Sequence, residues 1–527
     1  MEKKNIEVIV SEKLNALIEI TIKKCLEWLQ KSNPGFLEFV DPIEKTEISA
    51  HYGATHLAAS LILLGNKKQG IELLDSIISR WKRSTALPGF HNDFNNFALC
   101  VIWPYIENGY RNVIQNVILD TPDSNHDTVN WLPMRWAVND FRFQWTQDNI
   151  YLKKENICRD KIRQATWNDG FIDDRLPKGT SFNLQYNVST VAGLQYVRGL
   201  GKDITLDKEL GALLAAIAPD GDINYLGRGV NQVFAWGPWI YLLTSSGQLQ
   251  FALQAIAYLE EHLPLMLQNH NIMLNSWQGE EKYMWWDYHY CSVYTAHLLM
   301  WLCLAKLQIN ALPIEPMQYE QGDSGMKIFR ADNSFAVTFS GRKEYLAEKG
   351  PALYALWTKS MGMISKGCFG PWLGAFGNRY CIAGVTLRNY FGVLQVVRNS
   401  GIQERTFLNK IISRYGIDIP ATEKIIPAFL DVECAVRDGT FELFWQSKKK
   451  ITAFFSAPLL CDKKKMTLLV DGNEVPLYET GRIKNQYSWC RLIQSNVVKG
   501  KKWNLLIQEV ATYDPKERTH SDTFPDN

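Results

Sequence analysis

The texture of the chain changes once, near residue 311, and that change constrains the fold more than any single motif. Before it, ATHLAASLILLG, QGIELLDSIISRW, FALCVIWPYIENG, KELGALLAAIA, LQFALQAIAYLEEHL and SVYTAHLLMWLCLAKL carry apolar residues three to four positions apart. That spacing gives each segment one apolar helical face. The breakers SNPGF, LPGFHND, TPDSN, RLPKGTS, APDGD and WGPW lie between the helices. Helices joined by short turns bury those faces against each other as stacked hairpins, with no fixed-period solenoid repeat. After the Pro-, Gly- and acid-rich stretch LPIEPMQYEQGDSG come SFAVTFSG, YCIAGVTL, FGVLQVV, AFLDVECAV, TFELFWQ, ITAFFSA, MTLLVDG and NLLIQEV. Turn residues at intervals of roughly ten to fifteen mark these runs as an antiparallel sheet or sandwich. One helix, ERTFLNKIISRYG, interrupts it, and DPKERTHSDTFPDN is a polar tail. The expected class is α+β and multidomain. Helices occupy 1–310, a linker 311–325, a β-rich sandwich-like domain 326–512 and the tail 513–527.

A chain of 527 residues exceeds one ordinary core, which suits two domains. The net charge of +2 gives no basic field for nucleic acid or an anionic membrane surface, so neither partner is expected. No stretch reaches the roughly 18–20 unbroken apolar residues of a membrane span. The N-terminus, MEKKNIEVIVSEKLNAL, is charged and amphipathic and lacks a signal peptide's apolar core. Ten scattered cysteines without a CxxC pair, read with that N-terminus, point to reduced thiols and a cytoplasmic protein.

Chemistry concentrates in the helical half. It holds His51, His56, His91, His126, His262, His270, His289 and His297, leaving only His520 beyond it. GFHNDFNNF supplies His91, Asn92, Asp93, Asn95 and Asn96, more polar groups than capping a helix requires. In NHDTVNWLPMRW, Pro133 suits a first helical turn, which leaves Asn130 and Trp131 at its mouth and Arg135 one turn on. WNDGFIDDRLPKGTSFNLQYNVSTVAG carries Asp173, Asp174 and Arg175, then Asn183, Gln185, Tyr186 and Asn187. A tyrosine there transfers protons if a cation or pocket lowers its pKa from about 10. PDGDINYLGRGVNQVFAWGPW packs Asp220, Asp222, Asn224, Tyr225, Arg228, Asn231 and Gln232 beside Trp236. EEKYMWWDYHYCSVYTAH adds Glu280, Trp286, Asp287, Tyr288 and His289, with His289 and His297 on one helical face.

Phosphate-loop, HExxH and GxSxG motifs are absent, and GRG is not a dinucleotide fingerprint. His51 and His56 are five apart, a poor spacing for two ligands on one face, and no Cys/His cluster supports zinc. No metal or cofactor is expected, although the Asp and Asn side chains leave calcium open. Aromatic rings beside Asn, Asp, Arg and Tyr describe a carbohydrate site. Flat rings cover a pyranose face, while amides and guanidinium groups read hydroxyls or a carboxylate.

The segments DGFIDDRLPKGTSFNLQYNVSTVAGLQYV, PDGDINYLGRGVNQVFAWGPW and VNWLPMRW resemble those of heparinase II/III-like polysaccharide lyases. They also resemble a related toroid family known mainly as a domain of unknown function. The order of helical hairpins then β runs is similar to the layout of such proteins. It implies an N-terminal (α/α) toroid or incomplete barrel, a β-sandwich, and cleavage of a uronic-acid-containing oligo- or polysaccharide by β-elimination. On that resemblance Asn130 neutralises a uronate carboxylate, Tyr186 is the acid/base and Arg228 clamps a carboxylate or hydroxyl. His91 and His289 both stand for the remaining base role. Trp131, Asn92, Asp93, Tyr225, Asn231, Trp236, Trp286 and Tyr288 are the expected sugar-binding residues.

Two other readings stay open. A glucuronidase-like glycoside hydrolase on the same toroid needs two carboxylates about 5–5.5 Å or 6.5–9.5 Å apart. Asp93, Asp169, Asp173, Asp174, Asp220, Asp222, Glu280 and Asp287 are its candidates. A non-catalytic glycan-binding protein would bind sugar without turnover. The sequence specifies neither the sugar nor the oligomeric state.

Overall fold

The computed structural model describes residues 3–31, 35–83, 89–126, 128–179, 182–226, 232–270, 291–339 and 352–359. Further on it describes 362–369, 374–376, 379–382, 430–437, 440–447, 452–459, 465–470, 473–476, 478–484, 489–498 and 502–508.

Among the described residues the first half contains twelve helices. They are α1 (Lys3–Glu27), α2 (Tyr52–Leu63), α3 (Lys67–Arg83), α4 (Asn92–Ile102), α5 (Asn108–Asp120) and α6 (Leu132–Thr146). The others are α7 (Asn149–Ala165), α8 (Leu184–Gly199), α9 (Asp207–Ala216), α10 (Trp236–Ser245), α11 (Leu249–Gln268) and α12 (Cys291–Leu307). The even-numbered helices pack in order, α2 on α4, α4 on α6, and so on to α12, which returns to α2. They form a closed inner ring. The odd-numbered helices lie outside it, α3 on α2, α5 and α7 on α6, α9 on α8, and α11 on α10, while α1 bridges α11 and α12. The incomplete barrel admitted as an expectation is in fact closed.

Local sequence explains which helix goes where. Inner helices have neighbours on every side, so α2 (YGATHLAASLIL) and α12 (CSVYTAHLLMWLCLAKL) are almost free of charge. Outer helices keep one wet face, as the Lys and Glu residues of α3 (KKQGIELLDSIISRWKR) show. Leu57, Leu99, Val138, Val191, Leu242 and Leu298 are buried within the ring. Each such aliphatic side chain contributes about 1.5–3 kcal/mol relative to exposure. Two glycines let neighbouring inner helices approach closely. A Cβ on Gly193 of α8 would meet Pro133 of α6 at 2.7 Å, and one on Gly237 of α10 would meet Trp301 of α12 at 2.8 Å.

A short hairpin, β1 (Leu29–Lys31) with β2 (Leu37–Phe39), joins α1 to the ring. The β half begins with the four-stranded antiparallel sheet β3 (Met326–Ala331), β4 (Ser334–Phe339), β5 (Ala352–Thr358) and β6 (Gly362–Phe369). Next come β7 (Gly374–Phe376), β8 (Arg379–Ile382), β9 (Leu430–Arg437), β10 (Thr440–Ser447) and β11 (Thr452–Leu459). They are followed by β12 (Lys465–Val470), β13 (Asn473–Val475), β14 (Tyr478–Lys484), β15 (Trp489–Val498) and β16 (Lys502–Gln508). One five-stranded sheet has the order β13-β12-β16-β10-β9, the other β14-β15-β11-β8-β7. Most pairs are antiparallel, but β8 runs parallel to β11, so the latter sheet is mixed. The long connection between those two strands, through β9 and β10, supplies the crossover that a parallel pair needs. The expected helix ERTFLNKIISRYG and strand FGVLQVV lie outside the described residues.

The segment after α12 is seated on the toroid. Asn310 N, Leu312 N and Ile314 N donate to the carbonyls of Thr244, Ser245 and Ser246 at 2.7, 3.0 and 3.1 Å. Arg330 on β3 reaches the carbonyl of Ile217, and Phe339 on β4 stacks on Phe182 with centroids 5.0 Å apart. The first sheet therefore leans on the α8 side of the ring.

Candidate functional site

The first turns of the inner helices converge at one end of the ring, where a polar and aromatic cluster gathers. Tyr52 opens α2, and its hydroxyl hydrogen-bonds His297 Nδ1 of α12 at 2.8 Å. The Tyr52 ring lies 5.2 Å from His91, at the start of α4, and 4.6 Å from Phe94. His91 stacks on Trp131 at 5.8 Å, in the single 3-10 turn Val129–Trp131 that leads into α6. On the other side, Phe234 stacks on His297 at 4.6 Å and meets Tyr186 of α8 edge-on at 6.0 Å. The chain of contacts Trp131, His91, Tyr52, His297, Phe234, Tyr186 thus runs around this end of the ring, its mouth in the reading proposed below.

The cluster is continuous with the core, but three of its members keep a small exposure. His91 and Tyr186 keep 8% of their surface and Trp131 keeps 7%, while Trp236, Trp239 and Trp301 deeper in the ring keep 0%. Capping explains the position of Tyr186: Asn183 Oδ1 accepts from its backbone N–H at 3.4 Å, which starts α8 at that point. Asn130 lies one residue before Trp131, and its Oδ1 has no hydrogen-bond partner among the described residues. Val129 N donates to the Asp174 carbonyl at 2.8 Å and so anchors the turn.

The imidazoles here are neutral. Burial pulls His91 down to about 4, reinforced by nearby His126 and opposed by a hydrogen bond to the Ser49 carbonyl. A neutral imidazole carries its proton on one ring nitrogen and a lone pair on the other. Burial also pulls His56 down to about 3, despite its bond to the Tyr52 carbonyl, and His297 well below its ordinary range. Tyr52 is pushed up, mainly by burial. Orphaned Nε2 atoms remain on both His56 and His297.

Other expected residues have structural employment. Asp93 accepts from Arg135 Nε and Nη2 at 3.0 and 2.9 Å and from Ser124 N at 3.1 Å. Asn92 Nδ2 donates to the Pro122 carbonyl at 3.0 Å. Both residues thereby pin the segment 121–126 against α4. Tyr225 is fully buried with its hydroxyl on the Ala216 carbonyl, and Trp236 is fully buried against Tyr258 at 4.4 Å. Neither faces the mouth, because the PDG turn folds inward there to pack beneath α10 and α11. Arg228, Asn231, Trp286, Tyr288 and His289 lie outside the described residues. The sequence reading missed Tyr52, Phe94, Phe234 and the inward face of His297. Their neighbours sit on helices distant in the chain, and no local pattern marks them.

Among the carboxylates, Asp169 Oδ2 accepts from Ser324 N and Oγ at 3.2 and 2.5 Å. Asp173 accepts from Trp167 Nε1 at 2.9 Å and from Gly179 N. Asp222 Oδ1 accepts from Asn224 N at 2.7 Å. Among the described residues no group of three or more His, Cys, Asp and Glu is arranged to hold a metal ion. None of the described helices is long and apolar enough to cross a membrane.

No protein-family model matches the sequence, and no curated protein matches it. Solved structures that resemble the chain include an α-1,6-mannanase from Salegentibacter sp., 11% identical, covering 55% of this chain and 99% of its own with a TM-score of 0.39. A polysaccharide lyase is 13% identical over 56% of this chain and 98% of its own, with a TM-score of 0.37. A glycosyl hydrolase of family 88 from Bacteroides vulgatus is 14% identical over 57% of this chain and 99% of its own, with a TM-score of 0.34. Each of these structures is a carbohydrate-active enzyme, and a polysaccharide lyase is among the remote likenesses.

Proposed function

We propose that the chain is a carbohydrate-active enzyme that cleaves a uronate-containing oligosaccharide by β-elimination at the mouth of the inner ring. The observation that carries the reading is the company these groups keep: Tyr186, His91 and Trp131 belong to one cluster at the starts of the inner helices and each retains a little exposed surface, next to Asn130. Tyrosine and neutral histidine suit proton removal and return. By contrast Asp93, Asp169, Asp173 and Asp222, candidates for a hydrolytic pair, already hold backbone or side-chain donors.

The chemistry follows from these positions. Trp131 offers its face to the sugar ring. The Asn130 amide donates to the uronate carboxylate, which makes the C5 proton more acidic by stabilising the charge that develops on its removal. The first turns of the inner helices add their positive ends to the same point. The free ring nitrogen of His91 takes the C5 proton, helped by the approaching carboxylate, which raises its proton affinity. The C4–O bond then breaks as C4=C5 forms, and the Tyr186 hydroxyl gives its proton to the leaving oxygen.

An absorbance assay on a panel of uronate oligosaccharides, with reducing ends counted in parallel, tests this. Elimination creates a conjugated double bond and rising ultraviolet absorbance. New reducing ends without absorbance would move the assignment to hydrolysis.

A further inference from the structure

The rim of the cluster carries an aromatic side chain that the proposed chemistry leaves unused. Phe90 sits in the single 3-10 turn Gly89–His91, immediately before His91. It is 44% exposed, whereas the rings it touches are buried or half-buried. One exposed phenylalanine means little by itself, because scattered apolar residues are normal on protein surfaces. Phe90, however, is continuous with the site. Its ring centroid lies 4.6 Å from His91, 5.1 Å from Trp131 and 5.0 Å from His126. His126 in turn lies 4.9 Å from Trp131. Exposure falls stepwise from Phe90 through half-buried His126 to Trp131 at 7%. The rings form an apolar track from solvent to His91.

The track is firmly mounted. The Phe90 carbonyl accepts from Ser124 Oγ at 2.8 Å, and Ser124 N donates to Asp93 Oδ1 at 3.1 Å. Arg135 Nη2 donates to the carbonyls of Ser124 and His126 while pairing with Asp93 at 2.9 Å. The Asp93–Arg135 pair therefore holds the outer rings beside His91. A surface whose backbone is already fixed loses little freedom when a ligand settles on it.

Position along the cluster decides which sugar Phe90 meets. In the proposed elimination, Tyr186 protonates the oxygen that leaves C4 of the uronate. Tyr186 stands at one end of the chain of contacts, and Trp131 with Phe90 stands at the other. C1 and C4 lie on opposite sides of a pyranose ring, so the uronate turns its C1 towards Phe90. We propose that Phe90, backed by His126, forms an outer subsite for the sugar linked through C1 of the uronate. The site thereby favours oligosaccharides that continue past that carbon. A flat apolar ring suits the C–H face of such a sugar. The inference rests on the proposed reaction for the direction in which the sugar chain runs.

The test compares uronate disaccharides, in which the uronate is the reducing end, with the trisaccharides that carry one more sugar on its C1. Calorimetry on the full chain carrying Tyr186→Phe reads binding without turnover. Adding Phe90→Ala weakens trisaccharide binding about three- to tenfold and disaccharide binding by less than about twofold. Phe90→Tyr, which keeps a ring, restores most of the loss. In the chain with its native Tyr186, Phe90→Ala raises KM for the trisaccharide by the same factor and kcat moves far less, as loss of uniform binding requires. Equal losses for the two sugars, no loss for either, or no trisaccharide binding at all overturns the subsite. A lowered urea midpoint together with equal losses marks the Phe90 ring as packing and also overturns it. New reducing ends without absorbance, with trisaccharide binding still dependent on Phe90, would sink the elimination and leave the subsite standing.

Discussion

The two ends of the inner ring are built from the same helices and are treated in opposite ways. At the closing end, where α8, α10 and α12 finish, polar groups are largely matched. Leu312 O receives Gln195 and Arg198, Ile314 O receives Gln248, and Lys202 joins Asp140 to Glu155, although Asn310 Oδ1 and Glu155 Oε1 stay orphaned. At the mouth, His56 Nε2, His297 Nε2, Asn96 Oδ1, Asn130 Oδ1 and both ends of Gln232 are buried without partners. A protein built only for stability would satisfy both ends alike. On the proposed reading, the difference marks the mouth as the end that receives the sugar.

Substitutions should separate the ends. The largest effect falls at the mouth: Tyr186→Phe should lower turnover by about 10²–10⁴-fold with little change in urea midpoint. Parallel loss of fold and activity would place Tyr186 in the core instead.

Acid provides the second contrast. The folded values of about 4 for His91 and about 3 for His56 lie below the unfolded value of about 6.5. The unfolded chain therefore binds more protons, so these histidines contribute fully above about pH 6.5 and their contribution is lost as the pH falls. Each should add up to about 1.4 kcal/mol of lost stability per pH unit down to its folded value. Urea titrations of the wild type and of His56→Asn at pH 7 and 5 would show the variant with the shallower decline.

The smallest effect belongs to the closing end. Lys202→Met leaves Asp140 and Glu155 without their shared cation, and the pair is part-exposed through the lysine. The expected loss is about 1–2 kcal/mol of stability with unaltered kcat. A loss of turnover there would erase the distinction between the ends.

Much of this was legible locally. The helical hairpins were readable because apolar spacing and turn residues act over a few positions, and Pro133 marked the start of α6 with Asn130 and Trp131 before it. Tyr186 stood out among its polar neighbours for the same reason. Ring closure was implied by the resemblance alone and not by any local pattern, since the return of α12 to α2 joins residues some 240 positions apart, as the Tyr52–His297 bond does. Tyr225 and Trp236 looked like surface chemistry because the segment 220–232 that holds or precedes them is crowded with polar residues, yet tertiary packing turned both inward. Strands β3, β5 and β6 lack clean alternation and emerge only through pairing in the first sheet. Ser49, Ala50 and His51 all have positive φ, and no glycine announces that turn.

The most direct measurement is a crystal structure of the Tyr186→Phe variant soaked with a uronate oligosaccharide. The account predicts a sugar ring on Trp131, with its carboxylate at Asn130 and its C5 within reach of His91. A sugar seated instead in the groove lined by Arg198, Lys202 and Glu315 at the opposite end, or on the β half, would contradict it.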